Sequence, residues 1–109
     1  MANSFKTVTD TAVGTSPATI YTCPSVTETT IIGLNVANIL SVSITVDVQL
    51  ENNDGDNVYL VKDAIVPVGS ALVAVGGDQK IVMNASDVLK VTASQASAAD
   101  VTMSILEIT

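Results

Sequence analysis

Arginine, histidine and tryptophan are absent from this sequence, and cysteine occurs once. Without histidine the chain lacks the commonest metal ligand and the commonest general base. Without tryptophan, and with Phe5, Tyr21 and Tyr59 as its only aromatic residues, it offers no platform for stacking on a sugar. Cations are scarce as well: 4 lysines stand against 11 acidic residues, for a net charge of −7. Such a chain repels phosphate backbones, so nucleic acid is excluded as a partner. The lone Cys23 cannot form an intrachain disulfide. No cation neighbours it in the sequence, so it reads as a small core hydrophobe rather than a reactive thiol. Long apolar runs are also missing. Ser, Thr, Asn or Asp interrupts every hydrophobic stretch well short of the roughly 20 residues a membrane helix needs, so no membrane partner is expected. The opening residues carry no basic run followed by an apolar stretch, so no secretory signal is expected either, and the protein should remain in the cytoplasm where it is made.

The sequence is rich in β-branched and small polar residues. Of its 109 residues, 48% are hydrophobic and only 14% charged. This length fits one domain spanning residues 1–109, able to bury roughly two-thirds of its unfolded surface. Its apolar content excludes disorder. Mean hydropathy is +0.51, and charge falls well below the about one quarter usual for a globular chain. A domain this small cannot hide that much apolar surface, so copies of itself or other partners are expected to cover some of it.

Helix signals are nearly absent, whereas period-two alternation recurs. In 41–50, Val42, Ile44, Val46, Val48 and Leu50 point one way while Ser41, Ser43, Thr45, Asp47 and Gln49 point the other. Similar strands are expected at 18–23, 30–36, 58–62, 72–75, 80–83, 88–94 and 101–108. Gly33 suggests a bulge or a close backbone approach. Near the end, Val101, Met103 and Ile105 share one parity while Leu106 and Ile108 share the other. That predicts a bulge or a strand buried on both faces. Asp54-Gly55 marks a hairpin tip, and 67–70, 76–78 and 84–87 read as turns. Residues 94–100 read as a loop or a single helical turn. The fold class is therefore all-β: an antiparallel, jelly-roll-like β-sandwich of about eight short strands, preceded by a polar arm over about 1–8. Few charges guard its edge strands, which again suggests that partners cover them.

No catalytic or cofactor motif emerges. The acidic loop 51–56 could offer calcium hard oxygen ligands, but the EF-hand pattern requires an oxygen ligand where Leu50 stands, and Asn, Asp and Gly are ordinary turn residues. No spacing selects a carboxylate pair from Asp47, Glu51, Asp56 and Asp63. Lys62, Lys80 and Lys90 belong to no Ser–Lys motif, and no nucleophile has a histidine base. The chain is expected not to be an enzyme and to need no cofactor or metal. Asn84-Ala85-Ser86 fits a glycosylation sequon, which without a secretion signal marks only a turn. Interface anchors are the remaining candidates. Asn3, Ser4, Phe5 and Lys6 form the arm, and Tyr21 and Tyr59 are the other aromatics.

Four segments resemble small all-β virion proteins of tailed bacteriophages, especially phages of cyanobacteria and marine bacteria. They are Met1-Ala2-Asn3-Ser4-Phe5-Lys6, the stretch from Thr15 through Pro24, the alternating strand from Val42 to Leu50, and the ending from Val101 to Ile108. The resemblance implies a structural role in the virion, assembled in the bacterial cytoplasm. The form it favours is a capsid decoration or cement protein, a homotrimer bound to the major capsid protein or other virion proteins. It would bridge capsid subunits and stabilise the phage head. A tail, baseplate or fibre subunit is the next reading, and a module binding cell-surface glycan another.

Overall fold

The computed structural model describes residues 3–76 and 79–109. Met1 and Ala2 of the expected arm, and Gly77 and Asp78 of the expected 76–78 turn, lie outside these. Among the described residues, nine strands are present: β1 (Asn3–Val13), β2 (Ala18–Thr22), β3 (Glu28–Asn38), β4 (Ile44–Glu51), β5 (Asn57–Val66), β6 (Ala71–Val75), β7 (Ile81–Met83), β8 (Val88–Ala93) and β9 (Ala99–Ile108). They form two antiparallel sheets. The first has the order β1-β9-β3-β6, with β7 also paired to β3, and the second has the order β2-β8-β4-β5. The chain thus doubles back on itself as a ribbon, pairing β1 with β9, β2 with β8, β3 with β6 and β7, and β4 with β5. Rolling that ribbon so that its strands divide between two sheets is the jelly-roll arrangement. β6 and β7 lie end to end along β3, opposite residues 34–37 and 29–31, and together serve as one interrupted strand.

Alternation on both sheets builds the core. Ile31, Leu34, Val36, Met103 and Ile105 face inward from the first sheet, and Val46, Val48, Leu89 and Val91 from the second, all essentially without exposure. Cys23, at 1% exposure, also lies in the core. The expected bulge is present beside Gly33: the register between β3 and β9 shifts between Ile31 and Gly33.

Three expectations change. The polar arm is the first half of β1, because Asn3 to Asp10 pair in register with Ile108 to Val101. Its exposed, polar side chains hide a strand whose stabilisation comes from backbone pairing. The strand expected at 41–50 begins only at Ile44. Asn38 holds the preceding loop, since its amide donates to the carbonyls of Val42 (2.8 Å) and Val66 (3.0 Å) while its oxygen accepts from Leu40 N (2.8 Å). The phase change near the C-terminal end does not occur either. β9 pairs with β1 without a shift from Val101 to Ile108 and keeps its parity, which places Glu107 on the inner face at 7% exposure. Leu106 and Ile108 turn to the outer face, half-buried. Residues 94–98 form a loop, not a helical turn.

The turn joining β2 to β3 carries strain. Val26 has φ +56 and is 89% exposed. A β-branched residue rarely adopts this left-handed conformation. Val26→Gly is expected to stabilise the isolated protein by about 0.5–1 kcal/mol, the relieved strain outweighing the added freedom of the unfolded chain. Thermal or denaturant unfolding measures it.

Candidate interaction face

The outer surfaces of the two sheets differ in charge. On the second sheet, Lys90 Nζ meets Glu51 Oε2 at 2.9 Å. There too Asp47 accepts from Asp63 N at 2.7 Å, and Lys62 lies 4.6 Å from the centre of the Tyr59 ring. On the first sheet, strand register sets Phe5, Leu106, Thr30 and Val82 side by side across β1, β9, β3 and β7. The next rows hold Thr7, Ser104 and Gly33, then Thr9, Thr102, Asn35 and Val73. None of these residues is charged. Glu28 and Asp100 bound the face at its two ends. Phe5 is 76% exposed, Val73 65% and Val82 58%. Beside Phe5 a shallow depression of about 270 Å³ is lined by Lys6, Thr7, Ile32, Ser104 and Ile105, so Lys6 borders these uncharged rows at the β1 edge. Beyond Ile108 the surface leads to a second depression of about 360 Å³, which includes Val26. An uncharged face of this breadth on a chain of net charge −7 is suited to dry contact with another protein.

Behind the same end of the face lies a polar network. The Tyr21 hydroxyl, reaching from the second sheet, donates to Glu107 Oε2 at 2.5 Å and meets Thr29 Oγ1 at 2.8 Å. Lys6 Nζ meets Glu107 Oε1 at 2.8 Å. The lysine and the tyrosine hydroxyl hold the Glu107 carboxyl below its usual pKa. Burial, and then the adjacent carboxylate, push the Tyr21 phenol far above its own. These contacts join β1, β9, β3 and β2, and so tie one sheet to the other.

The six residues expected as anchors do not form one patch. Asn3 and Phe5 face outward from the first sheet, and Ser4 and Lys6 share the opposite side of β1. Tyr21 is half-buried between the sheets. Tyr59 is exposed on β5, at the edge of the second sheet. Leu106, Thr30 and Val82 complete the row beside Phe5. Their individual strands show the alternation, but only the register reveals their alignment. The 52–56 loop is an internally bonded turn: Asn52 Oδ1 accepts from Asp54 N (3.0 Å) and Asp56 N (3.1 Å). Asp87, buried, anchors the loop by accepting from Asn53 N (3.0 Å) and also receives Asn84 N (2.9 Å). Asp87→Ala would leave both amides without that acceptor and is expected to cost about 1–2 kcal/mol, read as a lower unfolding midpoint.

No protein-family model matches the chain, and no curated protein matches it. Solved structures do. The chain is similar to a chain of the acid-stable capsid of Helicobacter pylori bacteriophage KHP30, with a TM-score of 0.55, 8% identity, and coverage of 100% of this chain and 94% of that one. It is also similar to a chain of the disulfide-linked pili that form Bacillus endospore appendages, with a TM-score of 0.53, 14% identity, and coverage of 97% and 84%. A third likeness is to infectious bursal disease virus, Gx strain, with a TM-score of 0.52 and 14% identity; it covers 98% of this chain but only 32% of the viral one. At these identities the likeness establishes a shared all-β fold.

Proposed function

We propose that this chain is a non-enzymatic structural protein of a phage particle, a capsid decoration (cement) protein that bridges shell subunits and stabilises the head. The observation that carries this reading is the uncharged, partly apolar outer face of the first sheet on an otherwise acidic molecule. The full-length likeness to a KHP30 capsid chain supports it, as does the resemblance in sequence to phage virion proteins. In this reading the face running from Phe5 through Leu106 to Val82 lies against the major capsid protein. Three copies gather around each three-fold site, with the shell imposing that symmetry. The protein resides in the virion, assembled in the bacterial cytoplasm.

A tail or fibre subunit is the second reading, favoured by the likeness to a pilus chain. Quantitative mass spectrometry of purified particles separates the two. Hundreds of copies per particle are expected of a shell protein, and tens would move it to the tail. Absence from the particle would overturn both.

A further inference from the structure

An exposed sheet edge is a ready template for another strand, and proteins usually blunt it by shortness, proline, bulges or charge. Three of the four edges here are blunted. β2 is five residues long, lies between Pro17 and Pro24, and shifts register between Thr19 and Tyr21. β5 shifts register opposite Val46, Val48 and Gln49, and contains Asp63 at φ +53 with its N–H turned to the Asp47 carboxylate. The edge formed by β6 and β7 is broken in two and carries a shift of its own.

β1 is built differently. Its own register shift lies beyond Asp10, where Ala12 adopts φ +55, and Asn3 to Asp10 follow β9 through eight consecutive pairs without one. They include no proline or glycine, and all but Val8 and Asp10 are exposed. The one cation in this stretch, Lys6, is drawn onto Glu107 at 2.8 Å instead of standing off the edge as a guard.

We propose that β1 is a strand-pairing edge, and that its occupant is β1 of a second copy of this chain, antiparallel about a two-fold axis through Val8. A second copy has no other unblunted edge to offer among the described residues. Charge then selects the register. For the uncharged outer faces of the two copies to join on one side, the axis must pass through a residue, because directly opposed residues share a face. An axis through Lys6 would oppose two like charges, which is destabilising. An axis through Val8 sets Lys6 opposite Asp10 of the partner subunit, twice by symmetry, and Thr7 opposite Thr9 of the partner subunit. The two first sheets become one continuous sheet with one enlarged uncharged face. On a shell, such a contact would join neighbouring sites instead of closing a ring around one. The proposal rests on the edge geometry and does not depend on the particle reading.

The test uses the full chain. Sedimentation or light scattering is expected to give twice the 11.2 kDa chain mass, and Asp10→Lys to weaken self-association at least tenfold with an unchanged circular dichroism spectrum. Under mild oxidation, Val8→Cys is expected to form a covalent dimer and Thr7→Cys is not, while buried Cys23 does not compete. A monomer at every concentration would overturn the proposal, and it would turn attention to an extended segment of another protein at this edge. So would a trimer insensitive to Asp10→Lys, or cross-linking through position 7 and not 8. If Val8→Cys does not fold, the Asp10→Lys comparison decides alone.

Discussion

Leu106→Lys is expected to weaken attachment to the particle by more than a hundredfold while leaving the domain folded. Leu106 lies on β9 between Phe5 on β1 and Thr30 on β3, in the middle of the uncharged row. In the isolated protein the lysine stem can lie along the sheet with its ammonium in water, so stability should change little. Against a partner that water is displaced, and an unpaired ammonium in a dry contact costs several kcal/mol. Each factor of ten in affinity corresponds to about 1.4 kcal/mol, so a hundredfold loss needs only part of that cost. The measurement is add-back of wild-type and variant protein to particles stripped of it, with the bound fraction quantified. Undiminished binding would remove this face from the proposed contact.

The second large effect is on stability. Tyr21→Phe keeps the ring but removes the hydroxyl that meets both Glu107 and Thr29. It leaves a carboxylate at 7% exposure with Lys6 as its remaining charged partner. A loss of about 1–3 kcal/mol is expected, as for other buried acceptors deprived of a donor, charged ones lying at the upper end. The pH profile provides a separate check. The Glu107 pKa is lowered by folding, so its contribution is complete above the ordinary carboxylate range and is lost as pH falls through the lowered value. The Tyr21 pKa is raised by folding, so its contribution is complete below the ordinary phenol value and is lost as pH climbs beyond it. Wild-type stability should therefore hold a plateau between these limits. In Tyr21→Phe the acid limb should be smaller and end at higher pH, because one group that holds Glu107 ionised is gone and its folded-state pKa lies closer to the ordinary value, and the alkaline limb assigned to this phenol should vanish. Denaturant unfolding across pH tests both; an unchanged acid limb would show that the hydroxyl does not stabilise the carboxylate.

The strands buried on one face were readable because burial imposes period two on their side chains. Residues 44–48 and 101–105 show it plainly, whereas Gln49, expected on the outward face, is also buried, and the Asp54-Gly55 tip follows from Gly55 adopting φ +96. The first strand was not readable as a strand. Its side chains are exposed on nearly every position, so hydropathy carries no trace of the backbone bonds to β9. Glu107 misled for the opposite reason. A carboxylate at an inward position looks like a change of phase until Tyr21 and Lys6, 86 and 101 residues away in sequence, are known to reach it. The interaction face depended on register across four strands, and alternation within one strand says nothing about its alignment with another. Thus Phe5 stands out in the sequence, whereas its neighbours Leu106 and Val82 do not.

The pairing of β1 and β3 with β9 also bears on how the chain reaches its native state. β9 is the last of the nine strands to be synthesised, yet it lies between β1 and β3 in the first sheet. Until it emerges from the ribosome, neither of those strands has its neighbour. Closing the sheet must bring residues about a hundred positions apart into register, a slow step dominated by loop-closure entropy and typical of folding in milliseconds to seconds. During that interval the long open edge of β1 is exposed on both sides, and crowding of nascent chains would favour pairing between copies before either has closed its own sheet.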